Sequence, residues 1–189
     1  MNIFILSEDP IEAAQLQCDK HVVKMIVESA QMLSTVHRMV DGVMERRPSK
    51  SGSMLQYFKL DDDREDILYK ACHYNHPSTV WTRECCQNYR WHYAHFIALC
   101  DEYTYRYGKI HATDLKLRRF LRNPPYGIKH TITKTPYKLA MSANPECVVN
   151  DLNGTNAVES YRNFYMTKQD RFKMLWTKRQ IPEWFHAII

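Results

Sequence analysis

Two long stretches of this chain repeat apolar residues at the spacing of an α-helix, and this pattern most constrains the fold. The first follows Pro10 and runs to about Val40, and the second begins with a cap at Ser78 or Thr79 and ends at Gly108. The apolar stripe of the second stretch consists of Trp81, Cys85, Tyr89, His92, Phe96, Leu99, Tyr103 and Tyr107. The chain is therefore predicted to be mainly α, a single compact multi-helix domain of 189 residues built on two long core helices.

The first half contains weaker signals around these helices. Residues 2–6 are apolar and fit a short strand or a tucked terminus, and GVMERRPSKSGS at residues 42–53 fits a polar loop. The acidic run at residues 61–63 suits the first turn of a further helix. That helix should stop before Pro77, since proline disfavours the helical conformation of the preceding residue.

The second half is predicted to contain two helices and a long basic loop between them. The helices are expected over residues 111–122 and over residues 155–176. Residues 123–154 contain four prolines and little periodicity, which is typical of a lid, a binding loop or a disordered segment. We favour a functional loop because the segment keeps several large apolar residues as anchors.

Positive charge is concentrated in the second half of the chain. Residues 109–189 contain 14 Lys and Arg against 6 Asp and Glu, whereas residues 1–108 contain 12 against 15. This asymmetry favours a polyanionic partner, either nucleic acid or a phosphorylated ligand such as a nucleotide. A basic face that is merely solvated would give the same counts.

The sequence also indicates the compartment in which the protein acts. It has no apolar run long enough for a membrane span and none of the features of a secretory signal. Its six cysteines form no CxxC pair, which fits reduced thiols. We expect a cytoplasmic protein with no membrane partner, no cofactor and no metal site.

Polar residues gather on one side of the first long helix, around CDKHVVKMIVES at residues 18–29. At about 100° per residue, this stripe contains Gln17, Lys20, His21, Lys24, Glu28, Gln31 and Thr35. A stripe that only faces water would look similar. However, Asp19 and His37 project onto the apolar side, where an ionisable group needs a partner or a shifted pKa. The predicted catalytic residues are Asp19, His21, Lys24 and Glu28.

Further residues are predicted to bind phosphate or nucleic acid. In NHPSTVWTRE, the free N–H groups of a helix start lie beside His76, Ser78 and Arg83, which suits an anion, although capping alone explains the serine. Lys134 and Lys138 lie in the basic loop. The C-terminal segment interleaves cations, including Arg162, with aromatic rings that can stack on bases or pack in the core. The rings are Tyr161, Phe164, Tyr165, Phe172 and Trp176, and the other cations are Lys168, Arg171, Lys173, Lys178 and Arg179.

Motifs along nearly the whole chain resemble those of a known family. They are CDKHVVKM, NHPS-VW-RE, NYRW, ALCDEYTYRYGK, NPP, SYRNFY and PEWF. Together they look like an uncharacterised family of small proteins encoded by tailed bacteriophages. The resemblance implies a phage gene product in the bacterial cytoplasm that acts on nucleic acid, nucleotides or a host defence.

Three functions fit these observations, and no Walker A loop, dinucleotide fingerprint, HExxH or GxSxG motif points elsewhere. The first is an enzyme that acts on DNA or a nucleotide by base excision or base modification. The second is a binding protein without chemistry, whose target is nucleic acid, a nucleotide signal or a host factor. The third is a metal-dependent phosphohydrolase of the HD type, which the histidines suggest although the adjacent His-Asp pair is missing.

Overall fold

The computed structural model describes residues 1–186, and its regular structure is mostly helical, as predicted. The helices of this described part are α1 Pro10–Gln15, α2 Asp19–Asp41, α3 Arg64–Ile67, α4 Pro77–Glu84, α5 Cys86–Tyr107, α6 Ala112–Leu117 and α7 Ala157–Met166. Its strands form two antiparallel hairpins, β1 Val43–Pro48 with β2 Met54–Lys59, and β3 Asn150–Asp151 with β4 Gly154–Thr155. Short 3-10 turns cover Pro145–Cys147 and Thr167–Asp170.

The two longest helices, α2 and α5, pack against each other. Ile26 and Leu33 of α2 and Phe96 and Leu99 of α5 are completely buried within the cluster of core side chains. Full burial of such a side chain stabilises the fold by about 1.5–3 kcal/mol. α1 also packs on α5, and α4 packs on both long helices.

The helix predicted from Pro10 to about Val40 is in fact two helices, so that prediction was wrong at residues 16–18. The backbone N–H of Cys18 donates to the Tyr165 hydroxyl at 2.9 Å, and the N–H of Asp19 donates to the Leu175 carbonyl at 2.8 Å. Distant parts of the chain thus satisfy these donors at the start of α2. Local periodicity could not reveal those tertiary partners.

The second long helix is also interrupted, at Cys85, whose φ of −161° and ψ of 164° are extended. The N–H of Cys86 donates to the Lys129 carbonyl at 2.8 Å, which starts α5 afresh. The predicted cap at Ser78 or Thr79 was wrong as well. His76 caps α4, because its side chain accepts from the Ser78 N–H.

The polar loop predicted at residues 42–53 is largely a hairpin formed by β1 and β2, and the helix predicted from residue 61 shortens to the four residues of α3. Gly42 makes the sharp entry to the hairpin possible. A Cβ atom there would collide with the carbonyl oxygen of Arg38 and lie 2.9 Å from that of Lys59. The hairpin therefore depends on close backbone packing at Gly42, which composition alone did not reveal.

Residues 2–6 form no strand and are instead buried as the tucked terminus that was the alternative. Side chains, and not a neighbouring strand, bind backbone carbonyls of this segment. The Gln17 side chain donates to the Ile3 carbonyl at 3.3 Å, and the Arg162 side chain donates to the Leu6 carbonyl at 3.0 Å. The helices predicted over residues 111–122 and 155–176 are both shorter, ending at Leu117 and Met166.

Residues 123–154, named the strap below, run along α4 and α5 and are held by hydrogen bonds. Trp81 and Asn88 side chains donate to Thr135, and the N–H of Ala140 donates to the Tyr161 hydroxyl at 3.1 Å. At its start, the Gly127 N–H donates to Asp41 at 2.9 Å. The strap thereby brings Ala140 to the N-terminal segment.

Arg106 of α5 is the centre of a buried charge network. Its side chain is completely buried and contacts Asp19 at 2.8 Å and Glu102 at 2.7 Å. Glu102 also binds Arg179 at 2.8 Å, and Asp19 accepts from the Thr177 N–H at 2.9 Å. The network therefore ties the first turn of α2, helix α5 and the C-terminal segment together.

In the described part of the chain, no helix is long and apolar enough to cross a membrane.

Replacing Arg106 by methionine is expected to lower the free energy of unfolding by about 3–5 kcal/mol, because the buried carboxylate of Glu102 and the partly buried carboxylate of Asp19 lose a cation. Arg47→Met is the matched control. Arg47 pairs with Glu45 on the surface, and the two side chains are 44% and 37% exposed, so its loss should cost at most about 1 kcal/mol. Urea unfolding measures the free energy of unfolding of both variants. Equal losses of that free energy would contradict a special role for the buried network.

Stability should also fall as the pH drops from 7 to 5. Burial lowers the pKa of His37 and of His95 to about 4 and holds that of His92 well below its usual range. Between pH 6.5 and 4 the unfolded chain binds protons that the folded chain does not, which costs roughly 2 kcal/mol per histidine at pH 5. Urea unfolding at pH 7 and at pH 5 measures how much unfolding free energy is lost between the two. That loss should be smaller in His95→Gln than in the wild type, and it should be unchanged in the exposed control His130→Gln.

Candidate functional site

A cleft of about 410 Å³ opens beside the first half of α2. Four parts of the chain form its walls: the N-terminal segment, α2, the strap at Ala140, and α7 with the residues that follow it. This volume falls within the range of small-molecule sites. The walls carry the cations Lys20, Lys24, Lys168 and Arg171, the rings of Phe4, Phe164 and Phe172, and the polar residues Asn2, His21 and Glu28.

His21 is held between the core and the cleft. Its Nδ1 lies 2.7 Å from the Tyr165 hydroxyl, which also accepts from the Cys18 N–H at 2.9 Å. The imidazole stacks on Phe4 with ring centroids 4.7 Å apart. Since Nδ1 faces the core, Nε2 is the nitrogen available to a ligand.

The surroundings of His21 keep it neutral. Burial, together with the charge of Lys24 and of the other cleft lysines, lowers its pKa to about 4. Burial also holds the pKa of Tyr165 well above its usual range, so that its hydroxyl keeps its proton. Because the hydroxyl already accepts from Cys18, its proton goes to Nδ1, a stronger acceptor than the Cys18 sulfur. We therefore infer that Nε2 carries the imidazole proton and acts as a hydrogen-bond donor.

Among residues 1–186, Glu28 supplies the one carboxylate on the cleft wall. Its Oε2 accepts from the Asn2 N–H at 3.0 Å and lies 3.7 Å from the Met1 amino group, while Oε1 lies 3.2 Å from Lys24. The Asn2 side chain donates to the Ala140 carbonyl at 3.1 Å, which connects this end of the cleft to the strap. Glu28 is thus a fixed acceptor.

Aromatic rings position two of the cations. The Lys20 Nζ lies 4.3 Å from the centroid of Phe172, and the Lys168 Nζ lies 3.3 Å from that of Phe164. Among the described residues, neither lysine nor Arg171 has a carboxylate oxygen within 4 Å, whereas Lys24 is paired with Glu28. Three cations of the cleft therefore lack an internal counterion.

Lys168 differs from an ordinary surface lysine because it is only 8% exposed. Burial and the charge of Arg171 lower its pKa to about 8, although Cys147 and Asp170 act in the opposite direction. A buried cation without an ion pair is costly for a folded protein. An anionic ligand would remove that cost.

Three of the four predicted catalytic residues, His21, Lys24 and Glu28, meet in this cleft. Asp19 does not line it. Its carboxylate binds Arg106 and also accepts from the Thr177 N–H and hydroxyl at 2.9 and 2.7 Å. We therefore give Asp19 a structural role at the start of α2.

The predicted phosphate-binding residues on α4 make internal contacts. His76 caps the helix, and burial and the Met1 amino group lower its pKa. Ser78 is only 2% exposed. Arg83 donates to the carbonyl oxygen of Tyr74. None of the three lines the cleft.

The other predicted phosphate-binding residues are dispersed. Lys134 pairs with Glu8 at 3.1 Å, and Lys138 pairs with Glu84. Arg162 donates to a backbone carbonyl of the N-terminal segment at 3.0 Å. The structure therefore does not gather these cations into one surface with the cleft.

Some cleft residues were absent from the predicted site. Lys168, Arg171 and Phe172 belong to the C-terminal segment of interleaved cations and rings, so a signal for them was present in the sequence. Phe4 and Asn2 had no signal, because only the folding of residues 2–6 onto α2 brings them to the site.

In residues 1–186, no group of three or more His, Cys, Asp or Glu side chains is arranged to hold a metal ion. The HD-type alternative therefore has no ligand set in this part of the chain.

Comparison of the chain with protein-family models, with curated proteins and with solved structures gave no match. The resemblance to phage proteins stays a prediction.

In nitrogen-15 spectra at pH 7, we expect His21 to be neutral and to carry its proton on Nε2, with the signal assigned by its loss in His21→Gln. Tyr165→Phe removes the hydroxyl, leaves the Cys18 N–H without its acceptor, and should destabilise the fold by about 1–3 kcal/mol. The preference for one tautomer should weaken in this variant. Protonation of Nδ1 in the wild type would contradict the inferred hydrogen-bond direction.

Proposed function

We propose that this protein is an enzyme that acts on a nucleotide, either free or within DNA, by excising or modifying the base. The observation that carries the proposal is a set of three cations that have no carboxylate within 4 Å among residues 1–186 and surround a small cleft that ends in a fixed carboxylate. Phosphate is the common biological group that demands several cations at one place. A cleft of about 410 Å³ has room for one nucleotide unit.

The cations would hold the phosphate. Lys20 and Arg171 are on the walls, and their charges are not neutralised by a carboxylate within 4 Å in the described chain. Cation–ring contacts fix Lys20 in place, which reduces the rotamer entropy lost on binding. This arrangement supports phosphate binding in the first half of α2 and in the segment that follows α7.

Glu28 and His21 would act on the sugar or base. A carboxylate can serve as general base or stabilise a cationic sugar when the bond to the base breaks. With Asp19 paired elsewhere, Glu28 takes this role. A neutral His21 would donate a hydrogen bond through Nε2 to an oxygen or nitrogen that gains negative charge, instead of shuttling a proton.

The proposal keeps three sequence predictions. The protein is taken as a phage product in the cytoplasm of an infected bacterium, α2 and α5 are taken as the two core helices of the domain, and nucleic acid or a nucleotide is the partner. The dispersed cations Lys134, Lys138 and Arg162 could contact a longer polynucleotide outside the cleft.

Arg171→Met should weaken the binding of nucleoside monophosphates about tenfold, because one charge-assisted hydrogen bond to phosphate is worth roughly 1.5–3 kcal/mol. Lys173→Met is the matched control, since Lys173 is exposed, close in sequence and absent from the cleft wall. Isothermal titration calorimetry measures the affinities, with short single-stranded DNA as a second ligand. Equal loss in both variants would place binding outside the cleft.

Turnover separates an enzyme from a binding protein. With nucleotides and DNA as substrates, Glu28→Gln should keep binding and lose product formation by about 10²- to 10⁴-fold, measured by mass spectrometry of the products. If the wild type binds through Arg171 but returns every substrate unchanged, the binding-protein alternative replaces the enzyme.

A further inference from the structure

Lys168 is the lysine that the cleft isolates most completely. It is 8% exposed, its Nζ lies over Phe164, and the one described hydrogen bond of its amino group is a long contact of 3.4 Å to the Thr167 hydroxyl. Other cleft and strap lysines differ. The Lys24 side chain is 63% exposed and paired with Glu28, and Lys134 is paired with Glu8.

We propose that the Lys168 amine is a nucleophile that forms an imine with the carbonyl carbon of a phosphorylated aldehyde. This substrate class deepens the proposed function and rests on it, because excision of a base leaves a sugar phosphate whose ring opens to an aldehyde. The site would then take either a free sugar phosphate or an abasic nucleotide within a DNA strand.

The chemistry requires an uncharged amine. With a pKa of about 8 instead of the usual 10.5, Lys168 is neutral in a fraction of molecules roughly 300-fold larger at pH 7. Burial and a neighbouring cation are two known means of activating a lysine in this way, and Arg171 supplies the second.

The step is balanced without a further reagent. The nitrogen lone pair attacks the carbonyl carbon, the two amine hydrogens pass to the carbonyl oxygen as protons, and that oxygen leaves as water when the C=N bond forms. Neutral His21 lines the same cleft and lies close enough for the charge of Lys168 to affect its pKa. Its Nε2–H would donate to the carbonyl oxygen as that oxygen gains charge.

Reductive trapping tests the proposal. Wild type, Lys168→Arg and the exposed control Lys173→Arg are incubated with glyceraldehyde 3-phosphate and cyanoborohydride at pH 7.5, and adducts are located by peptide mass spectrometry. Wild type and the control should carry an adduct on Lys168, formed at least tenfold faster than on surface lysines. The Lys168→Arg variant should lose it. Lys168→Met is a second variant in case the arginine disturbs folding, which circular dichroism checks.

Two further arms identify the aldehyde. In the first, unphosphorylated glyceraldehyde should label Lys168 at least tenfold more slowly, since it lacks the phosphate that the cations hold. In the second, an oligonucleotide with one abasic site replaces the sugar phosphate in a parallel reaction. Trapping of the oligonucleotide in preference to the sugar phosphate identifies a DNA strand as the source, and the reverse identifies a free sugar. Either result on Lys168 supports the proposal.

The outcomes distinguish the two proposals. Adducts spread over surface lysines in proportion to exposure, and unchanged in Lys168→Arg, would overturn the nucleophilic role while leaving Arg171-dependent nucleotide binding intact. Conversely, fast labelling of Lys168 by both aldehydes, with no protection by a nucleoside monophosphate, would overturn the phosphorylated substrate class and the nucleotide site while leaving a reactive amine.

Discussion

The contact between Arg106 and Asp19 is the constraint on which the position of the cleft depends. A guanidinium that is completely buried must have carboxylates around it, and Asp19 is held at the first residue of α2 to provide one. Once that residue is fixed, the helical repeat determines where each later residue of α2 points. His21, Lys24 and Glu28 therefore face the N-terminal segment, and the second carboxylate, Glu102, together with Arg179 completes the charge balance.

The charges around Arg106 and the charges around the cleft differ in whether they have an internal partner of opposite sign. Around Arg106 every charge has a partner, so the network contributes to the geometry of the fold. Around the cleft, Lys20, Lys168 and Arg171 lack a carboxylate within 4 Å in the described chain. Lys20 and Arg171 are exposed to solvent, whereas Lys168 is buried and the charge of Arg171 disfavours its charged form. A buried cation in this state favours a site whose counterion arrives with the ligand.

The sequence predicted the helical class and the polar face of α2 because both depend on local periodicity. It did not predict the breaks at residues 16–18 and at Cys85, since those depend on donors satisfied by Tyr165, Leu175 and Lys129 far along the chain. The role of Asp19 was misjudged for the same reason. An ionisable residue on an apolar face indicates that a partner exists, but the sequence does not reveal whether the partner is Arg106 or a substrate.

The protonation states of His21 and Lys168 follow from one cause. Both groups are buried in a cleft that carries excess positive charge, so each is pushed towards its neutral form, and the charge of Lys168 also lowers the pKa of His21. A bound phosphate would reverse part of this effect by favouring the charged form of Lys168. The nucleophilic state of the lysine therefore depends on where the phosphate sits. If the phosphate contacts Lys20 and Arg171, it neutralises the surplus charge there and leaves Lys168 free to meet the carbonyl carbon.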